Sequence, residues 1–180
     1  MTRRAVFLDL NGTLVMPIKP ERLSDLSLIE GADQAIARLS RAGFVCPVVT
    51  VQSRIAKNLF SEAEFRDWFR NFENQLKTRG ANICGPYVCP HHFAEPCLCK
   101  KPNTLLYEQA AADHGIDLRG SFTIGDTAAD VGAACRFGGH GCLVRTGWAV
   151  GNAVIEEAAE YAACIADSLD EVVTWVLTRG

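Results

Sequence analysis

The sequence has no apolar run approaching the ~20 residues needed to cross a bilayer. No membrane-spanning segment is therefore expected. Neither sign of charge is in marked excess: 18 Lys and Arg stand against 21 Asp and Glu, for a formal net charge of -3. A nucleic acid or an anionic membrane, which a basic surface would attract, is not an expected partner. There is no internal repeat, linker or low-complexity tract. The N-terminus, MTRRAVFLDL, also lacks what a secretory leader needs. Its apolar run stops at Asp9, and no small-residue cleavage site follows. It reads as the first strand of a cytoplasmic protein.

What is present is an ordinary globular composition, 48% hydrophobic and 22% charged. The 180 residues suit one domain spanning 1–180. Strand and helix patterns alternate. Strands are expected at 5–10, 44–51, 121–127, 141–147 and 163–167, although Pro47 is unusual inside a strand. Helices are expected at 31–43, 61–80, 103–115, 128–139, 154–163 and 168–177. Ser61 and Glu64 have capping-box spacing, and Ser168 caps the last helix. Phe65, Trp68, Phe69 and Phe72 recur at helical spacing and should face the core. The alternation predicts an α/β protein: a three-layer, doubly wound, mostly parallel sheet covered by helices. Ligands of such sheets bind beyond the carboxyl ends of the strands.

Four segments carry polar chemistry at such ends. Asp9 follows the first strand, and Thr50 lies in VVTVQS. Lys101 lies in CKKP, and Asp126 follows FTIG with Asp130 one helical turn later. Aspartates at converging strand ends suit a hard cation such as Mg2+. Thr50, neighbouring amides and Lys101 suit phosphate.

In this order the segments resemble the haloacid dehalogenase superfamily. Asp9-Leu10-Asn11-Gly12-Thr13 matches its first motif with one departure. Thr50 and Lys101 match the second and third, and Gly125-Asp126 with Asp130 matches the fourth. The resemblance spans about residues 5 to 147. It implies a Rossmann-like fold and phosphate monoester hydrolysis.

A second constellation lies between the motifs. CPHHFAEPCLC holds Cys89, His91, Cys97 and Cys99, a Zn2+ ligand set with four protein donors and hence a structural role. His92 should be exposed or merely near the ion. Zinc would order the loop 89–99 and so position Lys100 and Lys101. Cys46, Cys135, Cys142 and Cys164 sit in apolar stretches and are expected in the core. The zinc loop is similar to that of D-glycero-D-manno-heptose 1,7-bisphosphate phosphatases and histidinol-phosphate phosphatases. The resemblance implies no large cap domain, so the zinc loop should form much of the substrate-facing wall.

The resemblance also implies roles. Asp9 would be the nucleophile, forming an aspartyl-phosphate. Mg2+ would be held by Asp9, the Asn11 backbone carbonyl and Asp126, with Asp130 supporting that shell. Thr50, Val51, Gln52, Ser53, Lys100 and Lys101 would surround the phosphate or substrate. Asn11 stands where the family has the Asp that protonates the leaving alkoxide and then activates water. Loss of such a group costs about 10²- to 10⁴-fold in rate. Val51, Arg54 and Lys100 depart from the branch pattern as well. A single substitution introduced to trap a complex would account for Asn11 alone, whereas four departures together favour natural divergence.

The expected function is thus Mg2+-dependent hydrolysis of a small phosphorylated sugar, most similar to that of heptose 1,7-bisphosphate 7-phosphatases. Histidinol phosphate is the alternative substrate. A binding protein that kept the pocket without turnover is the alternative class. No oligomer signal is visible, and a monomer is expected.

Overall fold

The computed structural model describes residues 2–179. In chain order the elements are β1 (Val6–Leu8), β2 (Val15–Met16), β3 (Ser27–Leu28), α1 (Ala32–Arg41), β4 (Pro47–Val51), α2 (Ser53–Ala56), α3 (Glu62–Lys77) and β5 (Cys84–Cys89). They continue with α4 (Leu105–His114), β6 (Phe122–Gly125), α5 (Ala128–Phe137), β7 (His140–Val144), α6 (Asn152–Ala159), β8 (Cys164–Ala166) and α7 (Leu169–Leu177). Six strands form one sheet in the order β5-β4-β1-β6-β7-β8, every neighbouring pair parallel. β2 and β3 make a separate antiparallel hairpin after β1.

Alternation along the strands builds the three layers, because successive side chains leave opposite faces of a sheet. Val6 and Leu8 enter one core with Val48, Ile124 and Val144, covered by α1, α3 and α7. Phe7 enters the other with Val49 and Cys89, covered by α4 and by Ala133 of α5. A third cluster joins Val131 of α5, Leu143 of β7 and Ala158 of α6. Burial on both faces explains why β1, β6 and β7 read as apolar runs.

Local chemistry sets the helix starts. Ser61 Oγ accepts from the Glu64 amide at 3.2 Å, and Glu64 returns the bond to the Ser61 amide at 2.7 Å. This capping box satisfies two amides that lack helical partners. Ser168 caps α7 through the Glu171 amide at 3.3 Å. Phe65, Phe69 and Phe72 of α3 are buried against the sheet, and Trp68 stacks on Phe72 from a half-buried position. Each fully buried aromatic contributes about 2–3 kcal/mol.

Three expectations need correction. Cys135 is exposed, not in the core: it lies in the last turn of α5, on the side turned from the sheet, with Sγ 3.7 Å from the Tyr161 carbonyl. Residues 84–89, for which no strand was expected, form strand β5. This is an edge strand, which tolerates Pro86 because one side needs no ladder donor. The hairpin β2–β3 was not expected either. Pro47 does sit in β4, at its first residue, where the β4–β5 register is irregular.

The strand order reverses beside β1. The chain winds outward through β4 and β5, then returns to β6 on the other side. A crevice opens at such a switch point, beyond the carboxyl ends of the strands. Asp9 and Asp126 lie there.

Candidate active site

Asp9 is the first residue past β1, its amide bonded to the Ile124 carbonyl at 2.9 Å. It is therefore tied to both central strands. The chain then turns sharply: Gly12, at φ 92°, donates its amide to the Val15 carbonyl at 2.8 Å. A Cβ on Gly12 would collide with the Asp126 carboxylate. Thr13, buried in this turn, places Oγ1 3.4 Å from Asp9 Oδ2.

Lys101 joins two of the acids. Its Nζ lies 2.6 Å from Asp9 Oδ1 and 2.6 Å from Asp130 Oδ1. Asp130 has a second task. Its Oδ2 accepts from the Thr127 amide at 3.2 Å, and Thr127 caps α5 in return. The start of α5 therefore aims Asp130 at Lys101. Asp126 Oδ2 accepts from the Trp148 amide at 2.7 Å, a bond supplied by the turn after β7. Gly147 completes that turn at φ 52°, and a Cβ there would also collide with Asp126.

Asp9, Asp126 and Asp130 each bring one carboxylate oxygen within 4.8 Å of the others. Three carboxylates against one ammonium leave the trio under-neutralised. Burial raises Asp9 to about 6, opposed by Lys101. Burial, then repulsion from Asp9 and Asp130, raises Asp126 to about 8. Burial opposes the Lys101 charge, but Asp130 and Asp9 outweigh it and hold the ammonium protonated. An all-oxygen, electron-rich, partly dry cluster of this kind fits a hard divalent cation.

Gln52 organises the neighbouring loop. Its Nε2 donates to Asn11 Oδ1 at 2.6 Å and to Thr50 Oγ1 at 2.9 Å. Gln52 and Thr50 are buried, while Val51 and Ser53 are half-buried beside them. Together with the acids these residues line a cavity of about 710 Å³.

The second cluster forms as the spacing predicts. Cys89 Sγ lies 3.6 Å from Cys97 Sγ, and Cys97 lies 3.7 Å from Cys99. His91 turns Nδ1 inward, 3.1 Å from Cys99 Sγ and 3.6 Å from Cys89 Sγ. Tetrahedral sulfur ligands about 2.3 Å from zinc lie about 3.8 Å apart, so the four donors could hold such an ion. Cys89 is the last residue of β5 and pairs with Val51 of β4, which fixes the cluster beside the Thr50 loop. His92 is exposed, as expected.

The cavity wall departs from expectation. Of the segment 89–99, only Phe93 lines it, joined by Lys100. Ile18, Lys19 and Pro20 of the loop between β2 and β3, Arg54 and Lys57 of the α2 region, Trp148, Val154 and Glu157 supply the rest. Lys19 holds its ammonium 4.3 Å from the Trp148 ring centroid, so loop and turn meet across the mouth. Lys100 lines the cavity, yet its ammonium donates to the carbonyls of His92, Phe93 and Glu95 at 3.0, 2.6 and 2.6 Å. Among the described residues, Lys19, Arg54 and Lys57 make no ion pair with a carboxylate. No single residue type marked Trp148 or Lys19 in advance. An aromatic beside a glycine turn after a strand was the only available signal.

A doubly wound parallel sheet with a lysine-bridged carboxylate trio at its switch point is the architecture of haloacid dehalogenase-like hydrolases, and the chain belongs to that family. The profile of the HAD-hydrolase-like family matches residues 98–172. Over its full length the chain is similar to D-glycero-D-manno-heptose-1,7-bisphosphate 7-phosphatase of Thermosynechococcus vestitus, 34% identical over 99% of this chain and 98% of the relative. It is likewise similar to D-glycero-beta-D-manno-heptose-1,7-bisphosphate 7-phosphatase of Haemophilus ducreyi, 33% identical over 98% and 100%. The crystal structure of the D,D-heptose 1,7-bisphosphate phosphatase of B. bronchiseptica, complexed with magnesium and phosphate, superposes with a TM-score of 0.87. It is 25% identical and covers 98% of this chain and 99% of its own.

Proposed function

We propose that this protein is a phosphatase that hydrolyses a phosphate monoester of a small sugar through a phosphorylated Asp9. Its closest substrate class is D-glycero-D-manno-heptose 1,7-bisphosphate, from which the 7-phosphate is removed. The observation that carries the reading is the Asp9–Lys101–Asp130 bridge at the switch point, opening into a cavity lined by Lys19, Arg54 and Lys57. Full-length similarity to heptose bisphosphate 7-phosphatases supports the substrate class.

In this reading a carboxylate oxygen of Asp9 attacks phosphorus. Lys101 keeps Asp9 ionised and offsets charge on the phosphoryl oxygens. Gln52 already donates to Thr50 Oγ1, so the Thr50 hydroxyl proton is free to reach a phosphoryl oxygen. Mg2+, held by Asp9, the Asn11 carbonyl and Asp126, would supply charge neutralisation for the transferring group. Asp130 acts by holding Lys101. Zn2+ on Cys89, His91, Cys97 and Cys99 would brace the loop that carries Lys100 and Lys101.

Phosphate release by the zinc-loaded protein with Mg2+ tests the reading. Heptose 1,7-bisphosphate should be hydrolysed in preference to histidinol phosphate, and Asn11→Asp should raise the rate. Asn11 also favours a second reading, a binding protein without turnover. That reading expects sugar phosphates to raise the melting temperature, with no phosphate released even by the Asn11→Asp variant.

A further inference from the structure

A sugar ester that loses its phosphoryl group releases an alkoxide, which needs a proton. Among the described carboxyl groups lining the cavity, none outside the Asp9, Asp126 and Asp130 trio is set beside Asp9 to give one, and the ammonium groups of Lys19, over the Trp148 ring, and of the exposed Lys57 belong to the rim. Asn11 occupies that position, and both ends of its amide are engaged. Oδ1 accepts from Gln52 Nε2 at 2.6 Å, and Nδ2 donates to the Pro17 carbonyl at 3.4 Å. An amide neither donates an acidic proton nor takes one up near neutral pH. Lys101 is committed to Asp9 and Asp130, 2.6 Å from each. Lys100 is committed to three loop carbonyls. Asp126 and Asp130 belong to the carboxylate trio. The remaining carboxylate of the lining is Glu157, exposed on α6.

Resting on the reading of Asp9 as phosphoryl acceptor, we propose that the site takes phosphoryl groups from acyl and aryl phosphates far faster than from alkyl esters, and that phospho-Asp9 then persists. With an acyl phosphate, an Asp9 oxygen bonds to phosphorus while the bond from phosphorus to the acyl oxygen breaks. The leaving carboxylate departs with the electron pair and requires no proton. An aryl phosphate releases a phenolate in the same way. With an alkyl ester the same step expels an alkoxide, and Asn11 cannot protonate it. In the second step water attacks the phosphorus of phospho-Asp9 and must lose a proton. Asn11 offers no base for it, so the acyl-phosphate bond outlives the transfer that made it. The leaving group therefore sets the rate of transfer at this site: carboxylate and phenolate donors outrun a sugar ester, whose turnover is correspondingly slow.

The test uses the zinc-loaded protein with Mg2+, incubated separately with acetyl phosphate, p-nitrophenyl phosphate and a hexose 6-phosphate. Intact mass reads the gain of one phosphoryl group, which hydroxylamine should remove and Asp9→Asn should prevent. Acetyl phosphate should label at least ~10²-fold faster than the hexose ester, the scale of a missing general acid. Asn11→Asp should shorten the life of the label by about the same factor. Equal labelling by alkyl and acyl donors, or a label lost as fast as it forms, overturns the proposal. So does Glu157→Gln if it slows the hexose ester alone, because Glu157 would then be the acid. Absence of label from every donor overturns it as well. If Asn11→Asp then also releases no phosphate from any donor, the phosphatase reading falls with it.

Discussion

Lys101 Nζ sits midway in a bridge, 2.6 Å from Asp9 Oδ1 and 2.6 Å from Asp130 Oδ1, with only 5% of its side chain exposed. One ammonium thus neutralises acids delivered by the end of β1 and by the first turn of α5. Removing it would leave two buried carboxylates facing each other without a counter-charge. Lys101→Met should cost about 3 kcal/mol of stability at neutral pH, the lower end for a broken buried pair. Urea unfolding measures it. The loss should shrink at pH 5, below the value of about 6 to which burial raises Asp9, where that carboxylate can take up a proton instead.

The same crowding makes the carboxylate trio pH-dependent. Asp9 is raised to about 6 and Asp126 to about 8 by burial, against 3.8 for an unperturbed carboxyl. The folded state therefore holds protons that the unfolded chain has released. The stability these groups contribute is full below about pH 4 and is lost as pH rises through 6 and then 8. Mg2+ competes with those protons. Its elevation of the melting temperature should be small at pH 5.5 and should grow towards pH 8.5. Thermal scans with and without Mg2+ read the difference, and Asp126→Asn should abolish most of it.

Zinc removal should act on the loop rather than on the sheet. Cys97 and Cys99 hold residues that have little hydrophobic burial of their own, while Cys89 belongs to β5. Cys99→Ser should release the metal, measurable as zinc per chain, and expose 90–100 to limited proteolysis. The melting temperature should fall by about 2–4 °C for each kcal/mol lost in a chain of this size. Lys101 loses its brace, so phosphate affinity should fall in parallel.

Gly147 approaches Asp126 as closely as Gly12 does, and an added Cβ at either would strike the same carboxylate oxygen. At φ 52° an added Cβ is strained, and it also strikes the carboxylate that accepts from Trp148. Gly147→Ala should cost about 1–3 kcal/mol. It should weaken Mg2+ binding more than Gly43→Ala does, because a Cβ at Gly43 meets nothing. Isothermal titration with Mg2+ compares the two variants.

Much of this site was legible from local pattern. Asp9 and Asp126 follow apolar runs, and a buried parallel strand must end where the chain reaches water. Asp130 and Thr127 have capping-box spacing. Cys89, His91, Cys97 and Cys99 are close enough in sequence to converge on one ion. Less was legible where a partner decides. β5 carries Gly85 and Pro86, which argue against a strand, yet β4 supplies the ladder at a sheet edge. Cys135 has apolar neighbours in sequence, but the strand beneath α5 decides which face is covered.

The alternation of the five strands β1, β4, β6, β7 and β8 with helices, the acids at strand ends and the amide at residue 11 are determined by the sequence alone, because they depend on periodicity and side-chain type. Tertiary structure decides what those groups meet. The turn after β7 brings Gly147 and the Trp148 amide against Asp126, and the loop between β2 and β3 lays Lys19 on Trp148. The loop 89–99 turns the Lys100 ammonium back onto its own carbonyls. These contacts join segments with no periodic relation to one another. The physical reason is that a doubly wound sheet gathers the loops beyond one edge, and their closeness there follows from strand order rather than from chain distance.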